Sequence, residues 1–159
     1  MRRVNPSVYT KNYYLTDCNG YREFKKSWGK VLEPRLERIV KEIPIKKGVK
    51  VLDIGCGRGE LSFWAANHGS QVVGIDYSVQ AIKLALQAKK KQSFTIQKRV
   101  SFLQMDAKKI NFSKNCFDVV FLVEILEHLY PEEQKLIFKQ ILKVLKPDGF
   151  IFIHTSPSR

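Results

Sequence analysis

The sequence predicts an α/β fold in which a parallel β-sheet is covered by helices on both faces. From residue 48 onward, short apolar runs alternate with amphipathic segments of helical spacing. Several of the runs are apolar at almost every position, which is typical of strands buried on both faces. The stretch VLDIGCGRGE at residues 51–60 also places three glycines directly after the first run. Glycine at that density predicts that a ligand approaches the backbone closely there.

Five apolar runs are predicted to form the strands of this sheet. They are VKVLDI (49–54), QVVGID (71–76), RVSFLQM (99–105), FDVVFLV (117–123) and GFIFIHT (149–155).

Amphipathic segments between the runs are predicted to be helices. ELSFWAANHG follows the glycines and is closed by Gly69, since glycine favours the position just after a helix. In SVQAIKLALQAKKK, Ser78 is the predicted N-cap. Its predicted apolar stripe comprises Ile82, Ala85 and Leu86. PEEQKLIFKQILKVLKPDG (131–149) begins with Pro131, and its two glutamates favour the positive helix start.

The chain is interpreted as one domain, residues 1–159, with a cap at 1–47 and a core at 48–159. The cap is helical and aromatic: KVLEPRLERIVKEI (30–43) places apolar residues at helical spacing and ends before Pro44. The basic stretch KKKQSFTIQKR (89–99) is predicted to be a solvated helix end and loop.

Composition narrows the class of protein. The hydrophobic fraction of 44% and the charged fraction of 27% are those of a globular domain, and the apolar run at 119–123 is far too short to span a bilayer. No apolar segment of a signal peptide follows the basic start. Three widely spaced cysteines favour free thiols in a reducing cytoplasm over a zinc site.

The net charge of +13 admits a nucleic acid as partner. The alternative is that lysines scattered over helix faces are simply solvated.

The glycine loop itself argues against a dinucleotide. That fingerprint needs a third glycine where this chain has Glu60, and a carboxylate is a poor host for a pyrophosphate. Gly55, Gly57 and Gly59 stand instead at every second position. The loop is therefore predicted to expose its backbone to a ligand without a phosphate.

Two aspartates follow the next two predicted strands. Asp76 ends the second strand, where a carboxylate can accept hydrogen bonds from both hydroxyls of a ribose. Asp106 follows the third strand, where it can accept one from the exocyclic amine of an adenine. The alternative is that both are helix caps or turn residues.

These stretches resemble the class I S-adenosylmethionine-dependent methyltransferases, near the group that contains the ubiquinone- and menaquinone-biosynthesis enzymes. The resemblance runs from Val49 to Thr155 and is carried by VLDIGCGRGELSFWAANHGSQVVGIDYS, FLQMDA, FDVVFLVEILEHL and LKPDGFIFI. It implies a Rossmann-like sheet with the strand order 3-2-1-4-5. The family fold continues with a further helix and an antiparallel hairpin that complete the acceptor pocket. These have no counterpart here, so we expect a truncated chain or a partner that supplies them.

The resemblance also implies the cofactor, S-adenosylmethionine, with S-adenosylhomocysteine as product, and the residues that hold it. The glycine loop would surround the methionine portion, Tyr77 and Ser78 would lie beside the adenosine, and Val123 would close the methionine side. The implied cofactor-binding residues are Asp53, Gly55, Cys56, Gly57, Gly59, Asp76, Tyr77, Ser78, Met105, Asp106, Ala107 and Val123. No catalytic residue is assigned.

The expected function is methyl transfer to an unidentified acceptor, most simply a small molecule. A different class of function is a module that binds the cofactor or a partner without catalysis. A lesser alternative is a metal-dependent RNA 2′-O-methyltransferase-like enzyme, because Glu124, Glu127 and His128 would share one face of a helical turn. Those enzymes need a further histidine after the fifth strand, so no metal is expected.

Two further expectations concern the ends of the fold. Tyr9, Tyr13, Tyr14 and Trp28 are candidates for a lid over the site, against ordinary packing as the alternative. The strand at 149–155 would be an apolar sheet edge, which predicts self-association or a separate partner there. The alternative is that the N-terminal part of the chain folds back over this edge. The histidines His68 and His154 are expected to be structural.

Overall fold

The computed structural model describes residues 8–156, and their core is a parallel sheet in the order β3-β2-β1-β4-β5. The strands are β1 (Lys50–Ile54), β2 (Gln71–Asp76), β3 (Val100–Gln104), β4 (Phe117–Val123) and β5 (Leu145–His154). Every neighbouring pair is parallel. The predicted fold class and strand order are therefore confirmed.

Six helices and three short turns surround the sheet in the described part of the chain. The helices are α1 (Tyr21–Ser27), α2 (Pro34–Val40), α3 (Glu60–Asn67), α4 (Val79–Lys89), α5 (Phe94–Arg99) and α6 (Pro131–Val144). A π-helical turn spans Tyr13–Asp17, and 3₁₀ turns span Ala107–Lys109 and Leu126–His128. None of the helices within residues 8–156 is both long and apolar enough to cross a membrane.

Alternate residues of the central strands enter two separate cores, which explains why the strands are apolar throughout. Val119 and Phe121 of β4 pack with α3, α4 and the N-terminal segment, residues 9–28. Val120 and Leu122 pack with α6 on the other face. Successive strand residues point to opposite faces, so a strand covered on both sides must be apolar at every position.

The N-terminal helix prediction over 30–43 is too long. Helix α2 begins only at Pro34, because the Glu33 side chain accepts hydrogen bonds from the N–H groups of Arg35 and Leu36 and so caps the helix. It ends at Val40, before Pro44. Helix α1 was not predicted, since its residues show no clean apolar period.

Two local predictions around α4 and α5 are wrong. The stretch predicted to be a loop contains α5, which is capped by the Ser93 hydroxyl. In α4, Ile82 and Ala85 are buried as predicted, but Leu86 is 41% exposed. Ala81, Leu84 and Ala88 are buried as well, so the buried face of α4 is centred away from Leu86.

The boundary between α6 and β5 also differs from the prediction. Helix α6 starts at Pro131 as predicted but ends at Val144, before Pro147, whose ring is incompatible with a helix interior. Strand β5 starts at Leu145, and its register shifts between the Phe117 and Val119 pairs of β4.

Candidate functional site

The C-terminal ends of β1, β2 and β4 open into a cavity of about 1170 Å³. Its walls also include the N-terminal segment, the residues after β3 and the turn after β4. Ligand crevices in open α/β sheets lie at this edge, outside the carboxyl ends of the strands.

The glycine loop forms the floor of the cavity. The N–H groups of Gly55 and Cys56 both donate to the carbonyl of Ile75, at 2.7 and 3.0 Å, which ties the loop to the end of β2. Gly57 has φ +54°, and a Cβ added there would meet nothing within 4 Å. Its backbone therefore faces open space in the cavity. Gly59 has φ +91°, and a Cβ there would lie 2.6 Å from the Phe102 ring.

Asp76 is buried behind this loop with its carboxylate held in one orientation. Oδ2 accepts a hydrogen bond from the N–H of Gly57 at 3.0 Å, and Oδ1 accepts one from the N–H of Ser78 at 2.8 Å. Burial raises the pKa of Asp76, while these two bonds favour the charged form. A carboxylate oxygen has room for a second donor, so Asp76 retains capacity for a ligand in the cavity.

Asp53 lies deeper in the cavity and is only 3% exposed. Its Oδ2 accepts a hydrogen bond from the hydroxyl of Ser62 at 2.5 Å. Burial raises the pKa of Asp53 to about 7. A cation nearby would favour its charged form, so the protonation of Asp53 depends on what occupies the cavity.

Residues 105–108, which follow β3, form another part of the cavity wall. The N–H of Met105 donates to the carbonyl of Asp76 at 3.0 Å. Asp106 caps the 3₁₀ turn, since its Oδ1 accepts from the N–H of Lys108 at 2.8 Å. Asp106 is therefore a helix cap, which was the alternative to a ligand-binding role, and it also lines the cavity.

Ten of the twelve residues implied as cofactor-binding line the cavity: Asp53, Gly55, Cys56, Gly57, Asp76, Tyr77, Met105, Asp106, Ala107 and Val123. Gly59 and Ser78 do not. Gly59 lies under the ring of Phe102, and Ser78 caps α4, accepting from the N–H of Ala81 at 3.3 Å. These two residues shape the site through packing and capping.

Three of the four lid candidates lie at the cavity. Tyr9, Tyr13 and Tyr14 line it, and the Tyr9 ring packs edge-on against Tyr77 with centroids 5.6 Å apart. Burial raises the pKa of Tyr13 to about 12, so its hydroxyl is protonated at neutral pH. Trp28 lies elsewhere: its ring packs on Phe24, and its carbonyl accepts from the Gln92 amide at 2.7 Å.

Arg58, which sequence reasoning missed, joins the glycine loop to the N-terminal segment. Its guanidinium donates to the carbonyls of Tyr14 and Asn19 at 2.6 and 2.7 Å. It also pairs with Glu60 at 2.6 Å and lies over the ring of Phe24. The sequence does place an arginine between two glycines of the loop. A charged residue at a buried position almost always has a partner, so this arginine could have been predicted to bind another part of the chain.

The turn after β4 closes the far side of the cavity. Glu124 has φ +58° and lies before the 3₁₀ turn Leu126–His128, so the predicted shared helical face with Glu127 and His128 is wrong. Arg35 of α2 donates to both carboxylate oxygens of Glu124. Within residues 8–156, no group of three His, Cys, Asp or Glu side chains is arranged to hold a metal ion.

Two polar atoms near this turn are buried and have no hydrogen-bond partner among the described residues. They are Oε2 of Glu127 and Nδ1 of His154. The other oxygen of Glu127 accepts from the N–H of Ser156 at 3.3 Å. Nδ1 of His154 lies 3.8 Å from Oε1 of Glu124, which is too far for a hydrogen bond.

Comparisons with known proteins point in one direction. Residues 45–158 match the sequence model of a family described as a methyltransferase domain. The chain is 36% identical over 124 residues to a ubiquinone biosynthesis O-methyltransferase of Coxiella burnetii, covering 76% of this chain and 49% of that protein. It therefore spans about half the length of that relative.

Solved structures agree with this match. A SAM-dependent methyltransferase of Methanosarcina mazei is 30% identical with a TM-score of 0.62, covering 76% of this chain and 56% of that one. Phosphoethanolamine N-methyltransferase 1 of Haemonchus contortus, in complex with phosphoethanolamine and S-adenosylhomocysteine, has a TM-score of 0.75 at 17% identity. That likeness covers 97% of this chain and 32% of the other, and it concerns the fold alone.

Proposed function

The chain belongs to the S-adenosylmethionine-dependent methyltransferases, and from this premise we propose that it binds S-adenosylmethionine in the cavity and transfers its methyl group to a small-molecule acceptor. When bound, the cofactor supplies an electrophilic methyl group on its sulfonium. The residues of the chain bind the cofactor, orient it and exclude water, so that an acceptor meets the methyl group in line.

The single observation that carries the proposal is the Asp76 carboxylate, held by the N–H groups of Gly57 and Ser78 at the edge of the cavity. Its free hydrogen-bonding capacity suits the hydroxyls of a ribose. The open space over Gly57 suits the close approach of a ligand, because any side chain at that position would enter it. Asp53 suits the ammonium of the methionine portion, since a cation there would stabilise its charged form.

The charges that line the cavity favour a small acceptor over a nucleic acid. Among the described residues, seven carboxylates line it: Asp53, Glu60, Asp76, Asp106, Glu124, Glu127 and Glu133. Only three Lys or Arg side chains of residues 8–156 do so: Arg35, Arg58 and Lys108. A polyanion would meet net negative charge there although the whole chain carries +13. The Coxiella burnetii relative is named for O-methylation, which makes an oxygen the first target atom to test.

Calorimetry with S-adenosylhomocysteine tests the cofactor site. We expect Asp76→Ala to weaken binding by about 1.5–3 kcal/mol, roughly tenfold to a hundredfold, because a charged hydrogen-bond acceptor is lost. Asp148→Ala is the matched control, since Asp148 is exposed and does not line the cavity. Equal affinity in Asp76→Ala and the wild type, or tighter binding of NAD than of S-adenosylhomocysteine, would contradict the proposal.

Transfer of a labelled methyl group to a panel of phenols and amines separates the enzyme from a binding module. Binding of S-adenosylmethionine without transfer to any acceptor favours the module. Activity that survives a chelator would leave the metal-dependent RNA alternative without support.

We also propose that β5 associates with a second chain. Among the described residues β5 pairs only with β4, and Ile153 on it is 44% exposed. An unpaired apolar edge offers backbone groups to another strand.

A reducing compartment, the cytoplasm, fits the three cysteines, since Cys18, Cys56 and Cys116 are all free thiols.

A further inference from the structure

Arg58 is a buried cation whose partners come from two separate parts of the chain. It is 4% exposed, and it lies in the glycine loop between Gly57 and Gly59. Its Nε donates to Oε1 of Glu60, the first residue of α3, at 2.9 Å. Its two terminal nitrogens donate to the backbone carbonyls of Tyr14 and Asn19, about forty residues earlier in the chain.

The cost of burying a charge makes these contacts interdependent. A buried guanidinium is tolerated only when its N–H groups are satisfied, and one carboxylate satisfies only part of them. Without the N-terminal segment, Arg58 would lose two acceptors and the ring of Phe24, 4.8 Å from its central carbon. Without Arg58, two carbonyls and the carboxylate of Glu60 would lose their charged donor. The loop and the segment are therefore most stable together.

The segment that Arg58 holds also forms one wall of the cavity. The carbonyl of Tyr14 accepts a hydrogen bond from Arg58, and the Tyr14 ring packs against Tyr9 and Tyr13, which line the cavity. On the loop side, the residue next to Arg58 is Gly57, whose N–H orients Asp76. Arg58 thus contacts the segment that carries Tyr9, Tyr13 and Tyr14, and its neighbour Gly57 contacts Asp76, the carboxylate proposed to bind the ribose.

We infer that Arg58 is a positioning residue that couples cofactor binding to the docking of the N-terminal segment. The inference rests on the proposed function, since it takes S-adenosylmethionine or its product as the ligand. Arg58 lines the cavity but acts through the loop and the segment. Coupling of this kind is reciprocal: a ligand that stabilises the loop stabilises the docked segment, and the docked segment raises the affinity for the ligand by the same factor.

Arginine is required at this position by geometry as well as charge. Its planar group directs N–H donors outward in a fixed fork and can meet acceptors on three sides while its face covers an aromatic ring. A lysine ammonium at the same position would reach fewer of these acceptors, because they lie on different sides of the guanidinium. Arg58→Lys therefore keeps the charge and tests the geometry, whereas Arg58→Met removes both.

Calorimetry and hydrogen exchange on three variants test the coupling. We expect S-adenosylhomocysteine to slow amide exchange over residues 9–20 in the wild type. In Arg58→Met we expect at least tenfold weaker binding, fast exchange over residues 9–20 with or without ligand, and unchanged protection of β4. Arg58→Lys should be impaired in the same two readouts, and it carries the test if Arg58→Met does not fold. The matched control is Arg99→Met, because Arg99 also donates to a backbone carbonyl, that of Ala66, but lies away from the cavity.

The outcomes separate the inference from the proposed function. A wild-type chain that does not bind S-adenosylhomocysteine contradicts the proposed function itself. A wild type that binds, with an Arg58→Met variant that binds within threefold of it or keeps residues 9–20 protected, overturns the coupling alone. Weaker binding together with general loss of protection in β4 also overturns it, because that would be ordinary destabilisation.

Discussion

Alanine substitutions at Gly57 and Gly59 should have opposite consequences, although the two glycines are equivalent in the sequence motif. Both have positive φ, so alanine at either position is strained by about 1–2 kcal/mol. Part of that strain is offset by about 0.4–1 kcal/mol, because alanine restricts the unfolded chain. What differs is the space that a Cβ would enter.

At Gly59 the added Cβ would lie 2.6 Å from the ring of Phe102 and 3.2 Å from that of Phe63. Both rings are buried, so neither can move freely, and overpacking of this kind costs about 1–3 kcal/mol. We expect Gly59→Ala to lower the free energy of unfolding by about 2–4 kcal/mol in total. Binding of S-adenosylhomocysteine by the folded fraction should fall less than in Gly57→Ala, because Gly59 shapes the loop by packing but does not line the cavity.

At Gly57 the Cβ would meet no protein atom within 4 Å, so the loss of stability should stay below about 1.5 kcal/mol. The same Cβ enters the cavity, and we expect the affinity for S-adenosylhomocysteine to fall at least tenfold, about 1.4 kcal/mol. Urea denaturation measures the first quantity and calorimetry the second. The reasoning is refuted if Gly57→Ala binds like the wild type, or if it is destabilised as much as Gly59→Ala.

Three other predictions follow from burial and exposure. The pKa of Asp53 is about 7 in the folded state, above its unfolded value, so its contribution to stability is greatest below pH 4 and is lost as the pH rises through 7. At pH 8 the Asp53→Asn variant should therefore be more stable than the wild type, by up to about 4 kcal/mol, and near pH 4 the two should be equally stable. Urea denaturation at both pH values measures the difference, and a difference that does not depend on pH would contradict this. Leu86→Gln should change stability by less than about 0.5 kcal/mol, whereas Ala85→Gln, at a fully buried position, should cost more than about 2 kcal/mol; equal thermal shifts would show that the helix face is assigned wrongly. Light scattering should detect association of the wild type that Ile153→Lys reduces, since a charge blunts a strand edge; a monomer at high concentration with fast amide exchange over 149–155 would refute it.

The strands and the position of the site were open to prediction from the sequence because both depend on local pattern. A strand covered on two faces is apolar at almost every position, and that pattern predicted the central strands of residues 8–156. Two of them, Gln71–Asp76 and Phe117–Val123, have the predicted bounds. The strand order came from the resemblance carried by the glycine loop and its following segments. Parallel strands end at one edge, so the sequence by itself predicts that the glycine loop, Asp76 and Asp106 lie at the same site.

Contacts between residues far apart in the chain were decided only by the tertiary structure. Spacing alone does not distinguish Gly57 from Gly59, because the ring that approaches Gly59 belongs to Phe102, which lies on β3 and is distant in the sequence. Leu86 fits the helical period as well as Ala85 does, and only the packing of α4 against the sheet exposes it. Arg58 lies within the motif, yet its partners Tyr14 and Asn19 precede it by 44 and 39 residues. Local periodicity determines which segments become strands and helices. Which side chains meet depends on how those segments pack, and the energy of such contacts is absent from any short stretch of sequence.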